Sequence, residues 1–116
     1  MSRRLFALPV LALAASLAPS RPNAEEVGLH QIVLRQLGLA WRRCIEESFA
    51  AQGRLTDRPS AAELAFQSCR TQERAFVAGA MSHPRMRADI LSATIESTKA
   101  KWKSELVNGD FRAGMN

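Results

Sequence analysis

The chain reads as an all-α protein, a three-helix bundle built on an antiparallel helical hairpin that follows a cleaved N-terminal signal segment. Three observations carry this expectation. Punctuation at Gly53, Thr56-Asp57-Arg58-Pro59, Ser82-His83-Pro84 and Asn108-Gly109 cuts the later part of the chain into three long segments, none with sustained period-two alternation. Each segment carries apolar residues at helical spacing. The two cysteines, Cys44 and Cys69, fall on the apolar stripes of the first two segments at equal distances from the turn between them.

The signal segment comes first. Arg3 and Arg4 precede an apolar run from Leu5 to Ala18, interrupted by Pro9 and Ser16 and followed by small residues. A membrane-spanning helix takes roughly 20 apolar residues, so this shorter run predicts a signal peptide rather than an anchor. Cleavage is expected after Ser20 or Ala24, which makes 1–24 the signal peptide and 25–116 a single helical domain. No cysteine lies near the end of the run to take a lipid. The mature chain is therefore expected to lack a stable membrane anchor and to be periplasmic or secreted. Ser2-Arg3-Arg4-Leu5-Phe6 resembles the twin-arginine signal, but a domain that relies on a disulfide folds after leaving the reducing cytosol, which favours the general secretory route.

Removing the signal changes the charge balance. The whole chain carries 16 Lys and Arg against 11 Asp and Glu, a net +5. Arg3 and Arg4 leave with the signal, so cleavage after Ser20 gives +3, and cleavage after Ala24, which also removes Arg21, gives +2. So small an excess argues against a nucleic-acid partner, which requires a clustered basic footprint.

The first helix is expected from about Glu26 to Ala51, with Val33, Leu37, Trp41, Cys44 and Ser48 on its core stripe and Leu34, Ile45 and Phe49 beside it. Gly53 is expected to close it in the left-handed conformation. The second helix is expected to start at Ser60, which forms a Ser-x-x-Glu capping box with Glu63, and to end near Met81. Ala62, Ala65, Phe66, Cys69, Phe76 and Ala80 define its apolar face, and Arg70, Glu73 and Arg74 point mainly outward. The third helix takes Pro84 in its first turn, uses Leu91, Ile95, Trp102 and Leu106 for the core, and stops at Asn108-Gly109. Lys99, Lys101 and Lys103 read as a solvated face near its C-terminal end.

Helical rise fixes the relation between the cysteines. Cys44 precedes Gly53 by nine residues and Cys69 follows Ser60 by nine, so in an antiparallel hairpin both lie about 13 Å from the turn. A disulfide between Cys44 and Cys69 follows in an oxidising compartment. Its loop of about 25 residues should contribute about 3 to 4 kcal/mol. The spacing has nothing in common with redox-active Cys-x-x-Cys, so the bond is structural.

The chain is poorly supplied for catalysis. It has two histidines and no tyrosine, and neither His30 nor His83 has a nucleophile or acid partner in a motif. Glu46 and Glu47 are adjacent and diverge by about 100° on a helix. A non-enzyme without a cofactor is expected, with a small enzyme formed from distant residues as an alternative. Met81, His83 and Met86 are a second alternative, because thioether and imidazole groups suit copper(I); helix-end packing by the methionines is the plainer role. Arg42, Arg43, Arg85 and Arg87 lie among Glu46, Glu47 and Asp89, which predicts intrahelical ion pairs. Trp41 and Trp102 read as core anchors.

From about Leu34 to Ala80, the succession of a helix, Cys44, a short loop, the Ser60-x-x-Glu63 start and Ala65-Phe66-Gln67-Ser68-Cys69 resembles small exported proteobacterial helical-hairpin proteins with a paired cysteine. In architecture alone it is similar to exported lysozyme inhibitors with cysteine-paired helices and to acid-stress periplasmic chaperones. The resemblance carries no established activity, and the function expected of the chain is that of a non-catalytic protein-interaction or envelope-stress module. Its partner would be another envelope or secreted protein, met through an apolar strip on the third helix or on the N-terminal half of the first.

Overall fold

In the computed structural model, which describes residues 24–112 and side chains from residue 28 onward, every regular element among the described residues is an α-helix. These are α1 (Ala24–Gln52), α2 (Arg58–Ser68), α3 (Arg70–Met81) and α4 (Ala88–Asn108). The expected signal segment lies outside the described residues except for Ala24, where α1 begins.

The expected second helix is two helices, which corrects the count from three to four. The break falls at Cys69, whose ψ swings to 22°. Beside the break the Ser68 hydroxyl donates to the Leu64 carbonyl at 2.8 Å, a back-bond to the preceding turn. The amide of Cys69 still donates to Ala65 O, and its carbonyl accepts from the Glu73 amide, each at 3.1 Å. Consequently α2 and α3 stay joined end to end as one bent rod.

Three helix ends also differ from expectation. Asp57, not Ser60, is the N-cap of α2, and Pro59 sits in its first turn. An Asp cap and a first-turn Pro together specify an earlier start than the capping box does. Pro84 does not open a helix; it lies in a turn closed by the Met86 amide on His83 O at 3.1 Å, and α4 begins at Ala88. Proline's fixed φ suits the second position of such a turn equally well. Gly53 follows α1 without a positive φ, its amide still bonded to Phe49 O at 2.8 Å. At the end of α4 the left-handed expectation holds: Gly109 has φ 82°, and the amides of Gly109 and Asp110 bond back to Leu106 O and Glu105 O at 3.3 and 2.8 Å. That pair of bonds satisfies carbonyls the helix leaves open.

Contacts between α1 and the α2–α3 rod run in reverse order along the two chains. Cys44 is bonded to Cys69, Leu37 lies against Gly79, and His30 meets His83. A Cβ on Gly79 would come within 2.6 Å of Leu37 Cδ1, so this glycine permits the close approach. Small side chains serve the same purpose on α2, where Ala61, Ala62 and Ala65 are buried. Trp41, Ile45, Phe66, Cys69 and Leu106 are among the residues that form the core. α4 packs on α2 and α3 through Leu91, Ile95 and Leu106. Val33, expected in the core stripe, is instead exposed.

Candidate functional site

The cross-link joins Cys44 and Cys69 with their Cα atoms 5.9 Å apart, and Cys69 is fully buried. Among the described residues no cysteine is free. The pair therefore offers no thiol chemistry and acts as a tie between α1 and the bend of the rod.

The structure distributes the Met81, His83 and Met86 trio differently from a converging ligand set. Met81 is exposed along a cleft between α3 and α4, whereas Met86 packs against the core. His83 instead gains a neighbour from α1, the His30 ring, at 5.1 Å between centroids. Its Nδ1 accepts the Arg85 amide at 3.1 Å, so that nitrogen is engaged within the turn. No group of three or more His, Cys, Asp or Glu among the described residues is placed to hold a metal ion.

The lysines expected to be merely solvated tie helices together. Lys99 pairs with Glu73 of α3 at 3.2 Å, and Lys103 pairs with Glu63 of α2 at 2.7 Å. Glu73, expected to face outward, is drawn into the α3–α4 interface by the first pair. Lys101 pairs along its own helix with Glu105 at 3.9 Å.

Arg42 departs furthest from the intrahelical expectation. Its Nε donates to Arg112 O at 2.8 Å, and its Nη2 reaches Glu105 Oε2 at 3.4 Å, so it links α1 to α4 and the segment beyond. The guanidinium lies 5.2 Å from the Trp102 ring and 4.2 Å from that of Phe111. Cation–π attraction and the ion pair act together there. Arg87 does pair locally, with Asp89 at 3.0 Å.

Between α1 and α4 this linkage adjoins a cleft of about 220 Å³. Trp41, Phe76, Ile95 and Trp102 give it an apolar aromatic lining, while Arg35, Arg42, Thr94 and Thr98 contribute polar groups. Trp41 packs against Trp102 at 4.7 Å and Phe76 at 5.7 Å, ring centre to ring centre, with the ring planes tilted by 58° and 35°. A second cleft, of about 320 Å³, lies between α3 and α4 and includes Glu73, Val77, Leu91 and Glu96 in its lining.

The remaining feature is a second apolar stripe on α1. Leu29, Ile32 and Val33 are 58, 55 and 51% exposed and follow the i, i+3, i+4 pattern of one helical face. Leu34 and Leu37 are less exposed on the side toward the core. Thus the N-terminal half of α1 is apolar on two sides. Sequence periodicity places a strip in this half of the helix but assigns Val33 to the wrong face.

As a structural class, the chain is an all-helical hairpin tied by an internal disulfide, with a further helix packed along it. No family model, no curated protein and no solved structure matches the chain.

Proposed function

We propose that this protein is a non-catalytic interaction module of an oxidising compartment, periplasmic or extracellular, and that it receives an apolar helix of another exported protein. The observation that carries the reading is the outer stripe Leu29–Ile32–Val33. A helix face with apolar residues at i, i+3 and i+4 has the spacing by which one helix docks against another. Three half-exposed aliphatic side chains supply on the order of 300 Å² of apolar surface, a size at which surface patches often serve binding. The stripe continues into exposed Gln36, Ala40 and Arg43.

Two parts of the chain support this reading of the compartment. The Cys44–Cys69 bond belongs in an oxidising environment, and the Arg3–Ala18 pattern is that of export. Among the described residues, no helix is long and apolar enough to cross a membrane.

Site-directed photocrosslinking in the exporting cell tests the proposal. A photoreactive residue at Ile32 should give a discrete adduct with another exported protein, whereas one at exposed Arg70 should not. Leu29→Ser with Val33→Ser should remove the Ile32 adduct while helix content by circular dichroism stays unchanged. An adduct that survives both serine substitutions, or one composed of two copies of this chain, would overturn the assignment.

A further inference from the structure

We infer that the cleft between α1 and α4 is a binding site for a small apolar anion, a carboxylate carrying one aromatic ring or a short branched chain. This inference concerns residues separate from the outer stripe of α1. Its volume of about 220 Å³ exceeds the roughly 150 Å³ cavity that accommodates benzene in a protein interior. A single ring with a short acidic tail matches it in size. Half-buried Phe76 and Trp102 offer an apolar aromatic surface for the ring, backed by buried Trp41 and Ile95.

The polar groups choose the sign of the ligand's charge. None of the residues lining the cleft is acidic, and two, Arg35 and Arg42, are cationic. Arg42 is already committed to Glu105 and to the Arg112 carbonyl. Arg35 is exposed and lacks an ion-pair partner among the described residues. It is therefore the residue assigned to the carboxylate, where its planar guanidinium can form a bidentate pair. Arg42, which bridges α1 to α4 beside Trp102, positions the aromatic wall.

The two tryptophans of the chain both line this cleft, so their emission reports its occupancy. The oxidised full chain would be titrated with 3-phenylpropionate, its neutral amide 3-phenylpropionamide, and acetate. The acid should produce a saturable change in tryptophan emission, the amide should bind about tenfold more weakly, and acetate should give no saturable change, as expected when both a ring contact and a charge-assisted bond are needed. Arg35→Gln should weaken the acid about tenfold and leave the amide unchanged. Thr98→Phe, which adds a ring at the rim without removing Arg35, should weaken both. Absence of a saturable response to the acid, equal binding of acid and amide, or an Arg35→Gln variant with undiminished affinity for the acid would overturn the inference. The Ile32 crosslink is read in a separate experiment, so either proposal can fail without the other.

Discussion

Replacing Cys44 and Cys69 together by alanine removes the tie between α1 and the bend of the α2–α3 rod. The cysteines are separated by 25 positions, so the loop-entropy relation gives a loss of about 3.5 kcal/mol. Cys69 is fully buried, and loss of its sulfur adds a small packing penalty of about 1 kcal/mol. A domain of this length has a total stability of roughly 5 to 13 kcal/mol, which makes the tie a large fraction of the whole. At about 4 to 8 °C per kcal/mol for a domain of this size, the midpoint should fall by about 20 to 30 °C. Thermal and urea unfolding followed by circular dichroism would compare the oxidised chain with the double-alanine variant. Midpoints that translate to a difference below about 1 kcal/mol would refute the reasoning, because the chain-entropy term alone exceeds that value.

Other substitutions separate the smaller contributions. A double-mutant cycle with Arg42→Met and Glu105→Gln should show a coupling of about 1 kcal/mol in urea unfolding, since their ion pair at 3.4 Å is only partly exposed; additive effects would reject that coupling. Gly79→Ala should destabilise by about 1 to 2 kcal/mol, because the new Cβ meets Leu37 Cδ1 at 2.6 Å. Gly28→Ala, whose Cβ would have nothing within 4 Å, should instead gain up to about 1 kcal/mol from helix propensity. Matched melts would expose an incorrect sign in either case. Hydrogen bonds from Ser60 and then Thr56 hold the Asp57 carboxyl below its ordinary value of 3.8. Its contribution is present above that ordinary value and disappears as pH falls through the lower folded-state value. Asp57→Asn should therefore flatten the acid limb of stability; urea midpoints at neutral and acid pH that retain the original slope would contradict this.

The legible and illegible parts of the molecule differ in the range of the information required. The Cys44–Cys69 register follows from constant helical rise, and Leu91, Ile95 and Leu106 follow from helical period, so both emerge from sequence spacing. The break at Cys69 is a local change of backbone conformation, and the turn at Pro84 is closed by the Met86 amide on His83 O. Neither is encoded in an apolar pattern. Arg42 and Glu105 are 63 positions apart, so local charge spacing favours Glu46 and Glu47 over the partner chosen by packing. The outer stripe of α1 is partly legible, but Val33 fits the period of either face.

Core packing is unevenly distributed along α1. At 1.5 Å per residue its 29 residues extend about 43 Å, yet its buried side chains, Trp41 and Ile45, lie in the C-terminal half near the disulfide. From 28 to 40 no described side chain is buried, and this is the half that carries Leu29, Ile32 and Val33. Local opening costs less where few apolar contacts must be broken, and binding elements are drawn from such regions. Amide hydrogen exchange on the oxidised chain should therefore be slow around Trp41 to Phe49 and progressively faster toward Gly28. Reduction should accelerate exchange in the slow half more strongly, because it removes the tie at Cys44. Uniform protection along α1 would show that its N-terminal half is held by contacts as strong as those around the cross-link, and would remove the energetic basis for treating its outer face as ready to accept a partner.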